Sequence, residues 1–144
     1  MSMTSLLLID DEAEIRNLYG SFLKTRLQQD SLSNSYPDSV TICEDGPQAL
    51  EVLQETSNFD VIVCDYCMPE KNGGDVWNFV RKSYPDVPFI LFTSENFQEL
   101  PEFDETFQGM GNVWLKKPAS PEKLLQVITE ILAESKKSTS GLMT

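Results

Sequence analysis

Short apolar runs alternate along this chain with longer segments in which apolar residues recur at helical spacing. Five runs are short and rich in β-branched residues, which is typical of strands in a parallel sheet covered on both faces. They are Leu6–Ile9, Val40–Cys43, Val61–Cys64, residues 87–92 and residues 113–115. Helical periodicity predicts helices at residues 12–29, after Asp45, at residues 75–84 and from Pro121 onward. The alternation predicts an α/β domain, doubly wound around a five-stranded parallel sheet.

Capping and breaking residues set the expected bounds of these elements. Asp45 is a candidate N-cap with Pro47 in the first turn, and Ser120 followed by Pro121 has the same form. Pro85 is expected to end the third helix. Residues 30–39 predict a polar loop, and residues 136–144 a frayed polar tail. We therefore expect one domain over residues 1–137 and a disordered tail over residues 138–144.

The segment from residue 95 to residue 111 has the least regular pattern. Its apolar residues keep only an approximate helical period, and Pro101 interrupts any helix there. The sequence predicts a short or broken helix in this segment.

Composition narrows the function classes. The 144 residues suffice for one domain, and 23 acidic against 11 basic residues give a net charge of −12. Such charge opposes binding to nucleic acid or anionic membrane and suits protein partners and divalent cations, although acidity can equally serve solubility alone. No signal peptide or membrane-length apolar run is present, and three cysteines suggest a reducing compartment, so we expect a cytoplasmic protein. Because the chain has no histidine, histidine-dependent nucleophiles and histidine-ligated zinc are excluded.

Polar side chains follow the ends of four predicted strands. Asp10 and Asp11 follow the first strand, Asp65 the third, Thr93 the fourth and Lys117 the fifth. Doubly wound sheets bind ligands at the carboxyl ends of their strands, so these groups are expected on one edge. Clustered carboxylates repel one another, and Mg²⁺, which prefers oxygen ligands, would relieve the repulsion. Asp65 would then be a nucleophile toward phosphorus, with Lys117 and Thr93 as donors to the phosphoryl oxygens.

The chain resembles the receiver domain of two-component response regulators, in particular the stand-alone, chemotaxis-type receivers. The resemblance covers nearly the whole chain, and its motifs are specific in combination. They are Asp10-Asp11, Glu44-Asp45-Gly46 with Ala49-Leu50, Asp60 through Asp65 with Met68-Pro69 and Gly73, Pro85-Asp86-Val87-Pro88, Phe92-Thr93-Ser94 and Lys117-Pro118. The resemblance implies a flavodoxin-like (βα)5 fold with strand order 2-1-3-4-5.

The same resemblance implies a role for each matching residue. Asp65 would accept a phosphoryl group from a phosphohistidine on a sensor histidine kinase or a phosphotransfer protein. Asp11 would hold Mg²⁺ directly and Asp10 mainly through water, with Asp65 and the Cys67 backbone carbonyl completing the protein ligands.

A second set of implied roles concerns the switch. Thr93 and Lys117 would bind phosphoryl oxygens, Thr93 would move toward the phosphate, and Trp114 would follow it inward, changing the affinity of the fourth helix, fifth strand and fifth helix for an unknown downstream protein. The chain would be no enzyme beyond its own phosphotransfer and autodephosphorylation. Cys67 and Glu95 would flank the site of water attack and influence phosphate lifetime.

The chain departs from the family pattern at three positions. Trp114 is bulkier than the usual Tyr or Phe, Ser94 replaces a small Ala or Gly, and Pro101 breaks the fourth-helix region. With no further domain recognised, the chain reads as either a stand-alone regulator or a piece of a longer protein.

Three alternatives stay open at this point. A degenerate receiver would act as a phosphorylation-independent interaction scaffold. A haloacid-dehalogenase-like phosphatase also uses a strand-end aspartate with Mg²⁺, but needs a second acid where this chain has Cys67. Cys64 and Cys67 form a Cys-x-x-Cys pair, which elsewhere has redox or metal roles, although core packing is the expected role of Cys64 and Cys43.

Overall fold

The computed structural model describes residues 4–29, 40–56, 58–109 and 111–142. Five parallel strands form one sheet in the order β2-β1-β3-β4-β5. They are β1 (Leu6–Ile9), β2 (Val40–Cys43), β3 (Val61–Cys64), β4 (Phe89–Thr93) and β5 (Val113–Lys116). The doubly wound fold and its strand order are therefore confirmed.

Helices cover both faces of the sheet. They are α1 (Ala13–Gln29), α2 (Gly46–Glu55), α3 (Gly73–Ser83), α4 (Glu105–Gly109) and α5 (Pro121–Leu142), with a 3-10 turn at Phe97–Glu99. One buried cluster joins the sheet to α2, α3 and the aromatic residues of the 97–107 segment, and the other joins it to α1 and α5. Burial of β1, β3 and β4 on both faces explains why their sequences are uninterrupted apolar runs.

Several element bounds differ from those expected. Helix α3 begins at Gly73 rather than residue 75, because Asn72 and Asp75 form a capping box in front of it. Strand β4 begins at Phe89, after Pro88, and includes Thr93. The predicted break in the 95–111 segment is confirmed, since a 3-10 turn and a five-residue helix stand there.

The C-terminal region also differs from expectation. A polar tail is predicted from residue 136, but α5 continues to Leu142. No proline stands between residue 136 and Leu142 to stop the helix. The predicted polar loop at residues 30–39 lies outside the described residues.

Within the described part of the chain, no helix combines the length and apolar character needed to cross a membrane.

Candidate functional site

The strand register places two carboxylates side by side at the carboxyl edge of the sheet. Ile9 pairs with Cys64 across β1 and β3, so Asp10 and Asp65 follow adjacent strands at the same level. The Asp65 backbone N–H donates to the Ile9 carbonyl at 2.9 Å, which extends the ladder to Asp65. Oxygen atoms of Asp10, Asp11 and Asp65 all lie within 4.8 Å of one another. Asp10 and Asp65 are buried, whereas Asp11 is exposed, so this oxygen cluster opens to solvent on one side.

Lys117 enters the same cluster from the end of β5. Its backbone N–H donates to the Thr93 carbonyl at 2.9 Å, continuing the β4–β5 ladder by one residue. Its Nζ lies 2.8 Å from Asp10 Oδ2 and 3.5 Å from Asp65 Oδ2. The lysine thus links two carboxylates that come from different strands, and its charge partly offsets their repulsion.

Thr93 is the hydroxyl residue of the site and is buried at the end of β4. Its Oγ1 accepts a hydrogen bond of 3.3 Å from the Glu95 backbone N–H. The structure therefore brings Asp10, Asp11, Asp65, Thr93 and Lys117 to one edge of the sheet, while the roles assigned to them in phosphate binding stay predictions.

Burial and the charges of neighbouring groups both shift the pKa values of this cluster. Burial raises the pKa of Asp65 to about 6, and the Asp10 charge adds to the rise, while Lys117 and the Tyr66 N–H oppose it. Burial likewise raises the pKa of Asp10, against a hydrogen bond from Lys117. For Lys117, burial lowers the pKa, but the hydrogen bond to Asp10 and the nearby carboxylates prevail and raise it. The site holds more negative charge than Lys117 compensates, which is the electrostatic setting for a divalent cation.

The loop after Asp65 is fixed by close backbone contacts. The Tyr66 N–H donates to Asp65 Oδ1 at 2.7 Å, and the Gly73 N–H donates to the Tyr66 carbonyl at 2.8 Å. A Cβ on Gly73 would lie 2.4 Å from the Asp65 carbonyl oxygen, so only glycine permits this approach of α3 to Asp65. One Asp65 oxygen is therefore held by the backbone, and the other, Oδ2, faces Lys117.

Three further residues contact the site and were not predicted from the sequence. Glu12 lies 3.5 Å from Lys117 Nζ, and Arg16 Nη1 donates to the Asp10 carbonyl at 3.0 Å. The Tyr19 hydroxyl donates to the Ala119 carbonyl, which fastens the loop carrying Lys117 to α1. Glu12 could have been found from its place beside Asp11, but nothing in the sequence signals the contacts of Arg16 and Tyr19, because they depend on how α1 packs.

The cysteine pair shows no arrangement for redox chemistry. Cys64 and Cys43 are buried in the core cluster, and the exposed Cys67 donates its thiol to Glu95 Oε1 at 3.1 Å. Burial raises the pKa of Cys67 to about 11, with the Glu95 hydrogen bond adding to it. A thiol with a raised pKa is a poor nucleophile, which does not favour a redox role for Cys67. The burial of Cys64 and Cys43 agrees with the expected role of both in core packing. Cys67 and Glu95 face each other beside Asp65, and their influence on phosphate lifetime stays a prediction, as does the Cys67 carbonyl as a metal ligand.

Trp114, the residue expected to take part in the switch, packs inward. Its ring stacks on Phe97 with centroids 5.6 Å apart. The indole Nε1 is buried, and no hydrogen-bond partner for it stands among the described residues. The position of this side chain is therefore set by ring packing rather than by hydrogen bonding.

Comparisons with known proteins agree with this arrangement. The sequence profile of the family described as "Response regulator receiver domain" matches residues 6–129. Among curated proteins, the response regulator SaeR of Staphylococcus epidermidis is 30% identical over 136 residues, which are 94% of this chain and 53% of that protein. The chain thus spans about half the length of the curated relatives it matches.

Solved structures show the same fold. A CheY-like receiver domain protein from Methanospirillum hungatei superposes with a TM-score of 0.75 at 23% identity, covering 95% of this chain and 99% of that one. The response regulator TrrA from Thermotoga maritima, crystallised in complex with Mg(2+)-BeF, has a TM-score of 0.65 at 25% identity, covering 90% and 99% of the two chains. The profile match over residues 6–129, with the same fold in these structures, shows that the chain belongs to the receiver domain family of two-component response regulators.

Proposed function

We propose that this receiver domain accepts a phosphoryl group on Asp65 from a phosphohistidine of a sensor histidine kinase or phosphotransfer protein. The observation that carries the proposal is the convergence of Asp10, Asp11 and Asp65 with Lys117 at one edge of the sheet. Asp65 Oδ2 lies 3.5 Å from Lys117 Nζ, while Oδ1 is engaged by the Tyr66 N–H, which favours Oδ2 as the attacking atom.

Mg²⁺ fits the residues present. The donor set is made of carboxylate oxygens from Asp10, Asp11 and Asp65, with the Cys67 carbonyl as the further predicted ligand, and hard cations prefer such oxygens. When bound, Mg²⁺ would neutralise the carboxylates and bind a phosphoryl oxygen. The Thermotoga protein crystallised with Mg(2+)-BeF supports this proposal for the related site.

The chain's own residues account for the rest of the transfer. An Asp65 oxygen attacks phosphorus, the phosphorus–nitrogen bond of the donor phosphohistidine breaks, and the electron pair stays on the imidazole nitrogen. Lys117 and the Thr93 hydroxyl donate to the phosphoryl oxygens as negative charge concentrates there. Water later cleaves the acyl phosphate to give inorganic phosphate and Asp65. We propose no further substrate for the chain, which would make it a phosphoacceptor rather than an enzyme in the ordinary sense.

The signalling step would follow from Thr93 and Trp114. Thr93 moves toward the phosphoryl group, and Trp114 changes its packing on β5, which alters the surface of the 97–109 segment, β5 and α5. A downstream protein recognises the altered surface. The acidic charge of the chain does not favour nucleic acid or an anionic membrane as that partner.

One observation favours a second candidate function, a scaffold that binds its partner without phosphorylation. Trp114 is half-buried and already stacks on Phe97 against the aromatic cluster, so this packing does not depend on a phosphoryl group. The two candidates differ in whether partner affinity changes when Asp65 is modified.

Intact-mass measurement after incubation with Mg²⁺ and a small acyl phosphate tests the proposal. We expect a single phosphoryl adduct that requires Mg²⁺ and is lost in Asp65→Asn. The matched control is Asp60→Asn, which changes a carboxylate at the opposite end of β3 that accepts from the Ser5 N–H. Absence of the adduct in wild type, or an adduct kept in Asp65→Asn, would contradict the proposal.

A further inference from the structure

A hydrogen bond joins the loop after Asp65 to the segment between β4 and β5. The Tyr66 hydroxyl donates to Glu102 Oε1 at 2.8 Å, and Asn72 Nδ2 donates to the same hydroxyl oxygen of Tyr66 at 3.3 Å. Glu102 follows Pro101 in the stretch between the 3-10 turn and α4. The two hydrogen-bonded residues are separated by 36 positions in the chain, so the contact is tertiary rather than local.

Glu102 also packs on the first turn of α3. A Cβ added at Gly74 would lie 2.3 Å from Glu102 Cδ and 2.7 Å from its Oε2. The carboxylate therefore fills the space left by the missing side chain of Gly74, beside the positive N-terminal end of α3. This contact adds to the hydrogen bond with Tyr66 in holding Glu102.

Tyr66 is bonded directly to the proposed phosphoacceptor at its other end. Its backbone N–H donates to Asp65 Oδ1 at 2.7 Å, and its carbonyl accepts from the Gly73 N–H at 2.8 Å. The same residue thus contacts Asp65 through its backbone and Glu102 through its side chain. Modification of Asp65 weakens the hydrogen bond that its Oδ1 accepts from the Tyr66 N–H. A shift of the Tyr66 backbone would then move the ring whose hydroxyl donates to Glu102.

The segment from Phe97 to Gly109 has little structure of its own to hold it in place. It consists of a three-residue 3-10 turn and the five-residue helix α4, which is too short to be stable alone. Its position depends on side chains, among them Phe103, whose ring lies 6.2 Å from that of Tyr66 and 6.1 Å from that of Trp77. Loss of one polar contact to such a segment is expected to shift its conformational equilibrium.

We propose that Tyr66 is a positioning residue that couples Asp65 to the 97–109 segment through its hydrogen bond to Glu102. The coupling rests on the proposed function, since it is the phosphorylation of Asp65 that would be transmitted. In the unmodified protein the bond holds the segment against the start of α3. On phosphorylation at Oδ2, Asp65 Oδ1 becomes the carbonyl oxygen of an acyl phosphate and accepts less strongly from the Tyr66 N–H. The hydrogen bond from the Tyr66 hydroxyl to Glu102 is then altered, and the segment moves.

Hydrogen exchange of the 97–109 amides tests the coupling, with and without Mg²⁺ and beryllofluoride, which stands in for the phosphoryl group. Tyr66→Phe removes the hydroxyl and keeps the ring. We expect amides of this segment, such as Leu100 and Phe103, to exchange roughly tenfold faster in the variant without ligand, as loss of a hydrogen bond to a charged group predicts. We also expect the change on beryllofluoride addition to be much smaller than in wild type.

Two companion variants separate the coupling from general destabilisation. Tyr84→Phe removes a hydroxyl that donates to the Leu53 carbonyl at 2.5 Å, and it should leave exchange in the 97–109 segment as in wild type. Glu102→Ala removes the acceptor, so it should reproduce the effect of Tyr66→Phe on exchange while still forming the phosphoryl adduct on Asp65.

The outcomes distinguish this inference from the proposed function. Equal exchange in Tyr66→Phe and wild type without ligand overturns the positioning role. An undiminished beryllofluoride response in Tyr66→Phe overturns the coupling and leaves the proposed function standing. If wild type shows no beryllofluoride response near Asp65, the proposed function fails and the coupling fails with it, even where the exchange difference without ligand persists.

Discussion

At Asp65, burial opposes ionisation. The residue is only about 5% exposed and lies next to the buried Asp10 carboxylate, and its pKa rises from 3.8 to about 6. The folded state thus holds a proton that the unfolded chain releases at lower pH. Between pH 4 and pH 6 Asp65 is more protonated in the folded state than in the unfolded state, so its contribution to the free energy of unfolding falls as pH rises through this window.

Asp65→Asn should therefore stabilise the domain without Mg²⁺. The variant removes a buried charge and its repulsion with Asp10, and a rise of roughly 1–3 kcal/mol in the free energy of unfolding is expected above pH 6. The gain should be small at pH 4, where Asp65 is largely protonated, and should grow up to pH 6. Urea unfolding of both proteins from pH 4 to pH 7 measures this difference.

Saturating Mg²⁺ provides the control. Binding of the cation to folded wild type stabilises it, and loss of one ligand in Asp65→Asn weakens that effect, so Mg²⁺ should reduce or reverse the difference. A difference that is independent of pH would show that the charge of Asp65 is not the cause.

Strand-end residues were predictable from the sequence, whereas contacts between distant elements were not. Asp10, Asp65 and Lys117 each follow a strand, and parallel strands bring such positions to one edge whatever the details of helix packing. The contacts of Arg16 and Tyr66 depend on where α1 and the 97–109 segment settle. Those positions follow from three-dimensional packing, which has no sequence period.

Among the elements, α3 is the one whose start determines the position of the loop after Asp65. Asn72 caps the helix by accepting from the Asp75 N–H at 3.0 Å, and Asp75 accepts from the Asn72 N–H at 2.9 Å. Gly73 then brings the first turn against the Asp65 carbonyl. The sequence predicted this helix but placed its start at residue 75, because Gly73 and Gly74 have low helix propensity. In the structure the capping box outweighs that penalty, and the helix begins at Gly73.

Gly73→Ala should destabilise the domain and disturb phosphorylation. The new Cβ would lie 2.4 Å from the Asp65 carbonyl oxygen, which is backbone and can move only by displacing the loop. We expect a loss of about 1–3 kcal/mol, the usual cost of overpacking, together with slower adduct formation. Chemical unfolding and intact-mass kinetics measure the two effects.

Gly109→Ala is the matched substitution, because a Cβ at Gly109 meets no atom within 4 Å. It should be neutral or stabilising by up to about 1 kcal/mol and leave adduct formation unchanged. Equal stability of the two variants would contradict the close approach described at Gly73.

For the molecule as a whole, the fold was predictable to the level of its strand order. Five apolar runs alternating with amphipathic segments specify a doubly wound sheet, and the strand order came from the resemblance to receiver domains. The segment whose apolar pattern is least regular, residues 95–111, contains among its described residues only a 3-10 turn and a five-residue helix. Its apolar residues form an aromatic cluster with Trp77 and Trp114, so ring packing decides a conformation that local propensity leaves undetermined.

The charge of the whole molecule bears on the central proposal as well. A net charge of −12 repels an incoming phosphoryl group, so transfer requires local positive charge at the carboxyl edge of the sheet. Lys117 supplies one positive charge there, close to Asp10, Asp65 and Glu12. Mg²⁺ would supply the remainder, and for this reason we expect phosphorylation to require it.

The most direct measurement locates the phosphoryl group within the chain. The protein is incubated with Mg²⁺ and a small acyl phosphate, reduced with borohydride, which converts an acyl phosphate to a primary alcohol, and then analysed by peptide mass spectrometry. We predict that the reduced residue is Asp65, with no reduction at Asp10 or Asp11 and none when Mg²⁺ is chelated. Reduction at another residue, or none at all under conditions that give a phosphoryl adduct, would contradict it.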